Sequence, residues 1–192
     1  MKINSRHVAI LLALILLSVG FGFGFDAAAT ALEKHRYPIP ESLAESVEAA
    51  AERYQIPEPT LWAILHSGSG FASNAVSEDG RIGLMQISPE TFAFICTTVM
   101  QGDEKEAGML YDPATNLTAG CAYLSYLYHY YGIREHAIAA YLTSIETVDA
   151  WLSDPQNLNA QGMLKQIPDA EIEKSFKAIQ KTADIYTRLY YS

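Results

Sequence analysis

The stretch from Leu61 to Gln86 constrains the fold of this chain more than any other. It begins with apolar residues at helical spacing, and Gly68 then interrupts that pattern. Turn-forming residues follow, and Ser88 and Pro89 are typical of the N-cap and first position of a new helix. A helix end, a polar loop and a helix start in this order can together line a cleft.

Further segments with helical periodicity surround this stretch, and no segment has the alternation of a convincing strand. The sequence is 49% hydrophobic and 18% charged, as expected for a chain that folds around a core. We therefore expect an all-α fold. The predicted helices are Glu41–Tyr54, Pro89–Met100, Asn116–Tyr131, Arg134–Thr143 and a C-terminal helix capped by Asp169, whose expected core face is Ile172, Phe176, Ile179, Ala183, Tyr186 and Tyr190.

Short motifs in the central stretch and beyond it resemble those of the lytic transglycosylase family, whose goose-lysozyme-like domains cut peptidoglycan glycan strands. The resemblance covers roughly Tyr37 to Tyr190 and implies a compact lysozyme-like helical domain. The matching segments are Ala63-Ile64-Leu65, Ser69-Gly70-Phe71, Ala75-Val76-Ser77, Gly83-Leu84-Met85-Gln86, Asp112-Pro113 with Asn116, Gly120 and Tyr123-Leu124, and Ala139-Ala140-Tyr141.

The catalytic glutamate of the family falls on Gly68 in this chain. In the family that one glutamate is both acid and base, and the 6-hydroxyl of the sugar attacks to give a 1,6-anhydro product. A glycine has no proton to give, and positioned acid–base catalysis contributes about 10²–10⁴-fold to a rate. Leu142-Thr143-Ser144 also replaces the family's Asn-Ala-Gly.

The resemblance also implies roles for other side chains. Ser77 and Gln86 would bind the sugars and their N-acetyl groups, because polar residues at this spacing have little use in a core. Met85 would pack in the cleft floor or be plain core, and Asn116 would brace its motif or cap a helix. Tyr141 would lie beside the acid or belong to the core.

Four other side chains are candidates for a displaced acid or base. Glu146 lies where the family's fourth motif approaches the cleft and is the better candidate. Glu78 and Asp79 are expected to be ordinary solvated turn residues. His66 is two residues before Gly68, about 200° around a helix, and should point away from it.

The N-terminus predicts export. Lys2 and Arg6 precede an apolar run from Val8 to Phe25, as in a signal peptide, and the run is also close to the ~18-residue minimum for a membrane-spanning anchor. We expect residues 1–36 to be a signal peptide or anchor plus a linker, and residues 37–192 to be the domain. The formal net charge of −9 argues against a nucleic-acid partner.

The cysteines, histidines and tyrosines do not point to a specific function. Cys96 and Cys121 would either pair as a disulfide or remain as two buried free thiols. No Cys/His spacing predicts a metal site, and we expect no cofactor. Five tyrosines crowd one predicted helix, and most of them should be core: Tyr123, Tyr126, Tyr128, Tyr130 and Tyr131.

Three functions are compatible with this pattern. The first is a lytic transglycosylase homologue that binds glycan strands of peptidoglycan but is catalytically impaired or inactive, a pseudoenzyme. The second is an active murein lyase with a displaced acid such as Glu146. The third is a membrane-associated structural or partner-binding module of the cell envelope. Fold alone does not decide among them.

Overall fold

The structure, a computed structural model, describes residues 28–192 and divides the chain at Pro38. In the first unit, the segment expected to be a linker is helical over residues 28–36. The predicted signal peptide or anchor, from Lys2 to Phe25, lies outside the described residues. Within the part that is described, no helix combines the length and the apolar character that a membrane crossing requires.

The second unit, Ile39–Ser192, is all-α, as predicted. Its described residues contain isolated β-bridges and no strand. The helices are α1 Glu41–Tyr54, α2 Glu58–Gly68, α3 Pro89–Phe94, α4 Pro113–Tyr131, α5 Arg134–Leu142, α6 Ile145–Ser153 and α7 Ala170–Tyr190, with 3₁₀ turns at Ala107–Tyr111 and Pro155–Asn157.

Capping side chains explain where several helices begin. Ser88 accepts a hydrogen bond from the Thr91 amide at the start of α3, and Asp112 accepts one from the Thr115 amide at the start of α4. Asp169 accepts from two amides of the first turn of α7. At the other end of α4, Gly132 has φ 63°, a left-handed conformation that glycine adopts without strain.

Helix α2 lies at the centre of the core and packs chiefly against α7. Its residues Thr60 to Leu65 are all buried, as expected for a helix that is apolar around its whole circumference. The indole of Trp62 contacts the ring of Tyr186 on α7, with 6.4 Å between the ring centroids. This packing fixes the position of the C-terminal end of α2, where Gly68 lies.

The predicted Pro89–Met100 helix is only partly correct. The α-helix ends at Phe94 and continues as a π-helical turn over Ile95–Val99. The expected core face of α7 is also partly wrong, since Ile172, Ala183 and Tyr190 are half-buried. The residues of α7 that are buried are Phe176, Ile179, Thr182, Tyr186 and Leu189.

The expectation that most tyrosines of α4 are core is wrong. Of the five, only Tyr123 is buried, and Tyr130 is 51% exposed, with its hydroxyl donating to Asp149 at 2.9 Å. The two cysteines, Cys96 and Cys121, are both free and buried, which is the second of the two arrangements considered for them.

Candidate functional site

A cleft of about 390 Å³ opens beside the C-terminal end of α2. Four parts of the chain wall it: the last turns of α2, the loop between α2 and α3, the end of α5, and the first half of α7. The lining residues that bear on function are Gly68, Asp79, Arg81, Met85, Gln86, Tyr141 and Leu142.

Gly68 is the last residue of α2 and is exposed to the cleft. A Cβ atom at this position would lie 3.2 Å from Cγ of Gln86, so a side chain here would project along the Gln86 side chain. That distance is tighter than ordinary van der Waals contact, and Gln86 would have to shift by a few tenths of an ångström to admit a longer residue.

The buried amide of Asn116 holds the loop that carries Gln86. Its nitrogen donates to the carbonyls of Ile82 and Leu110, both at 2.9 Å, and its oxygen accepts from the Met85 amide at 2.8 Å. Asn116 is 0% exposed and does not line the cleft. Its observed contacts are those of a bracing residue.

Met85 is buried beneath the cleft and also lines it. It lies against Gly120 of α4, where a Cβ would come within 2.8 Å of the Met85 Cβ. Below it, Sδ is 3.8 Å from Sγ of Cys121, and burial raises the pKa of that thiol to about 12. Cys121 is therefore an unreactive packing residue at neutral pH.

Tyr141 joins α5 to the same loop. Its hydroxyl donates to the Met85 carbonyl at 2.6 Å. Burial raises the pKa of Tyr141 far above its ordinary value. The phenol is thus a fixed hydrogen-bond donor that holds the cleft floor in place.

Gln86 and Ser77 differ in their relation to the cleft. Gln86 is half-buried in the wall, has φ 52°, and donates from Nε2 to the Gly83 carbonyl at 2.8 Å. Left-handed backbone at a residue other than glycine is held by its surroundings and is common at functional sites. Ser77 lies within the loop, where its Oγ accepts from the Arg81 amide at 2.9 Å and donates to Asp79.

Arg81, which carried no functional signal in the sequence, also lies in the cleft. Arg81 pairs with Asp79 at 3.0 Å and also donates to the backbone carbonyls of Leu142 at 2.7 Å and Tyr141 at 3.3 Å. The loop is thereby fastened to the end of α5, whose last carbonyls have no partner within the helix. An arginine within a polar loop gave no sequence signal for this contact, because its acceptors are backbone atoms.

Asp79 is a cleft residue rather than only a solvated turn residue, although its side chain is 64% exposed. The hydrogen bond from Ser77 and then the guanidinium of Arg81 hold the pKa of this carboxyl below its ordinary value. Asp79 is therefore an anion at neutral pH and has no proton to donate.

The other candidate acids and bases lie elsewhere. Glu146, at the start of α6, lines a neighbouring groove of about 340 Å³ together with Glu90 and Tyr123. Glu78 is an exposed residue of the loop. The ring of His66 contacts Phe71 and Tyr186, at centroid distances of 5.8 and 6.2 Å, on the side of α2 away from the cleft lining. Within residues 28–192 no cluster of side chains has the composition of a metal site.

An all-α core, a central helix that ends in a cleft, and a braced polar loop opposite its end define a lysozyme-like helical domain. The chain belongs to the Transglycosylase SLT domain family, whose model matches residues 45–164.

The curated proteins that this chain resembles in sequence are lytic murein transglycosylases. The chain is 36% identical to membrane-bound lytic murein transglycosylase C of Haemophilus influenzae over 86 residues. This match covers 44% of this chain and 24% of that protein. Over 138 residues it is 30% identical to soluble lytic murein transglycosylase of Escherichia coli, covering 71% of this chain and 21% of that protein. The chain thus spans about a quarter of the length of the curated relatives it matches.

Solved structures show the same fold. The 70 kDa soluble lytic transglycosylase of Escherichia coli superposes with a TM-score of 0.70 at 25% identity, over 81% of this chain and 25% of that one. The structure of the 70 kDa soluble lytic transglycosylase in complex with bulgecin A has a TM-score of 0.72 at 25% identity. The match covers 83% of this chain and 26% of that one. An inactive glutamate-to-glutamine mutant of lytic transglycosylase Slt from Pseudomonas aeruginosa has a TM-score of 0.67 at 28% identity. The match covers 81% of this chain and 25% of that one.

Proposed function

We propose that this chain binds glycan strands of peptidoglycan in the Gly68 cleft and cleaves them weakly or not at all. The observation that carries the proposal is the glycine itself. It ends the helix that faces the cleft, at the place where the family resemblance puts the single catalytic glutamate. A cleft that keeps its walls without its acid favours binding over cleavage.

The relatives support the substrate class and the need for a carboxyl group. Those named above are murein transglycosylases, and the Pseudomonas aeruginosa relative is inactive as a glutamate-to-glutamine mutant. An amide differs from a carboxyl group in having no acidic proton, and a glycine lacks both proton and hydrogen-bonding atoms. Loss of positioned acid–base catalysis costs about 10²–10⁴-fold in rate for each transfer.

The remaining cleft residues support the absence of a replacement acid. Asp79 is held as an anion, and the Tyr141 hydroxyl is committed to the Met85 carbonyl with a strongly raised pKa. Gln86 offers only an amide. Glu146 carries a carboxyl group, but it lines the neighbouring groove rather than the one beside Gly68.

The binding roles of the wall residues are part of the proposal. Gln86 contacts sugar in the cleft, while Met85 and Tyr141 form the floor beneath it. Asn116 and Ser77 act through the loop that they brace. We also place the protein on the envelope side of the cytoplasmic membrane, because peptidoglycan lies there and the N-terminal residues have the pattern of an export signal.

The test compares full-length wild type with Gly68→Glu and Gly68→Gln. The two variants have side chains of nearly equal size, and only one can donate a proton. We expect all three proteins to be retained on purified peptidoglycan sacculi. Only Gly68→Glu should raise the release of anhydro-muropeptides above a near-zero baseline, and it should not reach full family activity because Leu142-Thr143-Ser144 also differs.

Robust release by the wild type would overturn the impaired-enzyme proposal, and Glu146→Gln would then test the displaced acid. Failure of all three proteins to bind sacculi would instead favour a structural or partner-binding module. Equal release by the Glu and Gln variants would show that packing, rather than the missing acid, limits the reaction.

A further inference from the structure

A small groove of about 230 Å³ lies beside the first turns of α4 and shares no lining residue with the glycan cleft. We call it the Met100 groove. Phe92, Cys96 and Ala119 line it and are buried, whereas Met100 and Ala114 line it and are exposed. Its volume is below the roughly 300–1,000 Å³ of small-molecule sites. It suits a single large side chain inserted by a partner, as at the centre of many protein interfaces.

The π-helical turn Ile95–Val99 fixes one edge of the Met100 groove. The Met100 amide donates to the Ile95 carbonyl at 2.8 Å, and the Gly102 amide donates to the Cys96 carbonyl at 2.9 Å. Between them Gln101 has φ 53°, a left-handed conformation. π-Helical turns and left-handed residues other than glycine are both frequent at functional sites. The backbone therefore shapes this edge without help from a ligand.

Large apolar side chains are exposed along the segment that borders the groove. Met100 is 45% exposed, Met109 42% and Tyr111 47%. Single exposed apolar residues need no explanation, but several in one short stretch indicate an interaction surface. Methionine is flexible and polarizable, and it is common where one surface adapts to a partner.

The same segment is strongly acidic. Residues 100–115 contain one cation, Lys105, and four carboxylates, those of Asp103, Glu104, Glu106 and Asp112. All four carboxylates are exposed, and Lys105 lines the groove between two of them in sequence. Within residues 28–192 no ion pair joins Asp103, Glu104 or Glu106 to a cation. We call these four residues the acidic rim.

Asp112 connects the acidic rim directly to the groove. Its carboxylate accepts hydrogen bonds from the amide and the hydroxyl of Thr115, at 2.8 and 2.7 Å, and Thr115 lines the groove. Those two bonds hold the pKa of Asp112 below its ordinary value, so the rim is anionic here at neutral pH.

The charge of the rim selects among the classes of partner. Nucleic acids and anionic lipid surfaces are bound through clustered lysine and arginine, and the rim has the opposite sign. A segment with its own lysines or arginines complements the rim, which speeds encounter and rejects acidic partners. An apolar anchor among basic residues is how amphipathic segments dock in grooves.

We propose that the Met100 groove and the acidic rim dock a lysine- or arginine-rich segment of a partner protein, which inserts one large apolar side chain into the groove. The inference is independent of the proposed glycan cleft, which lies in a different part of the domain. Its two components, an apolar contact and a charge contact, can be removed separately.

The experiment titrates the full-length chain, labelled with ¹³C at the methionine methyl groups, with amphipathic peptides. One peptide consists of leucine and lysine, a second has glutamate for lysine, and a third has serine for leucine. Ala114→Trp fills the groove, and Ala49→Trp on the exposed face of α1 is its control. The double variant Glu104→Lys/Glu106→Lys reverses rim charge, and Glu45→Lys/Glu52→Lys on α1 matches its change in net charge.

We expect the leucine–lysine peptide to bind the wild type and to shift the methyl resonance of Met100, but not that of Met163 in the segment between α6 and α7. Ala114→Trp and the rim double variant should each bind at least tenfold more weakly. Both α1 controls should stay within twofold of wild type, because charges more than about 8 Å apart are largely screened at physiological ionic strength. The glutamate and serine peptides should bind at least tenfold more weakly than the leucine–lysine peptide.

Equal weakening by the rim and α1 double variants would show attraction to net charge alone and would overturn the inference. Binding that leaves the Met100 resonance unmoved, or that Ala114→Trp does not weaken, would overturn it as well. Self-association of the wild type that the groove variants abolish would identify a second copy as the occupant and refute the partner assignment. The four positions changed in the groove and rim and on α1 by charge reversal or by tryptophan are exposed, so the fold is retained in each comparison.

Discussion

Arg81 is the residue on which the cleft wall depends most directly. Its guanidinium joins Asp79 in the loop to two backbone carbonyls at the end of α5. Its side chain is only 24% exposed, so these hydrogen bonds are partly shielded from water. A planar donor fork with several N–H groups suits this contact in a way that a lysine does not.

We predict that Arg81→Ala lowers the free energy of unfolding by about 1–3 kcal/mol, as expected for the loss of charge-assisted hydrogen bonds. Binding to sacculi should weaken as well, because the loop is no longer fastened to α5. Urea denaturation and sacculus retention measure the two effects. Arg81→Lys should recover only part of each, and Arg53→Ala, on the exposed surface of α1, is the control. Equal effects of Arg81→Ala and Arg53→Ala would contradict the prediction.

Two glycines of the loop provide a matched comparison. Gly80 and Gly83 have nearly the same positive φ, 80° and 79°. A Cβ on Gly80 meets nothing within 4 Å, whereas one on Gly83 would lie 2.5 Å from the Leu110 carbonyl and would collide with the Asn116 amide. Backbone strain is thus common to both sites, and the steric conflict is confined to one.

Gly80→Ala should cost about 1–2 kcal/mol of stability from the left-handed backbone alone. Gly83→Ala should cost at least about 2 kcal/mol more, because it also displaces the Asn116 side chain, whose hydrogen bonds contribute about 1 kcal/mol each. Chemical denaturation of the two variants under the same conditions measures the difference. Similar stabilities would show that the loop relaxes around Asn116.

At the scale of elements, the sequence predicted those parts of the fold whose causes are local. Helix α1 has the predicted bounds Glu41–Tyr54, and Ser88 and Asp169 are the N-caps of the helices that they were expected to begin. The π-helical turn after Phe94 was not predicted, because helical periodicity does not distinguish it from a continuing α-helix.

The site was less predictable, because its contacts join residues that are distant in the chain. The fastening of Arg81 to the end of α5 connects positions 60 and 61 residues apart. Glu146 was a reasonable candidate acid from its position in a motif, but the turn between α5 and α6 places it in the neighbouring groove. The position of Gly68 at the end of a helix was predictable, because the motif that contains it is continuous in sequence across that helix end.

The segment between α6 and α7 docks on α5 through an imidazole. Burial lowers the pKa of His136, so the ring is neutral in the fold and its Nε2 accepts from the Leu164 amide. The unfolded chain takes up the proton first, near the ordinary histidine pKa of about 6.5. The stabilising contribution is therefore complete above that pH and is lost as the pH falls toward the lowered folded-state value.

We predict that the free energy of unfolding decreases between pH 7.5 and pH 5.5 in the wild type, and that His136→Gln flattens this dependence. The carboxyl groups with lowered pKa, Asp79 and Asp112, lose their contribution at lower pH and do not obscure this window. His129→Gln is the control, since His129 is exposed on α4. A pH dependence that persists unchanged in His136→Gln would refute the assignment.

At the scale of the whole molecule, the C-terminus is tied to the start of the central helix. The Tyr191 hydroxyl accepts from the Trp62 indole at 2.9 Å and donates to the Glu58 carboxylate at 2.6 Å. Burial, and then the hydrogen bond to the Glu58 carboxylate, raise the pKa of Tyr191, so the phenol stays protonated. This contact closes the chain across α2 and α7, two helices that line the cleft.

Tyr191→Phe should lower the thermal midpoint by a few degrees, since it removes two hydrogen bonds worth about 1 kcal/mol each and leaves a buried indole N–H without its acceptor. Scanning calorimetry of the full-length chain measures the shift. Tyr111→Phe, at a position where the ring is 47% exposed, is the matched control and should leave the midpoint unchanged. A midpoint for Tyr191→Phe that equals the control's would show that the tie contributes nothing.

The acceptors of Arg81 at the end of α5 are main-chain oxygens, and every amino acid supplies one. Replacing Leu142 by a different residue leaves its carbonyl in place and the fastening intact. The fastening of the loop to α5 therefore does not depend on the side chain at position 142. Leu142-Thr143-Ser144, the stretch expected to differ from the Asn-Ala-Gly of the resembled family, begins at a residue whose contact with Arg81 is made by the main chain alone.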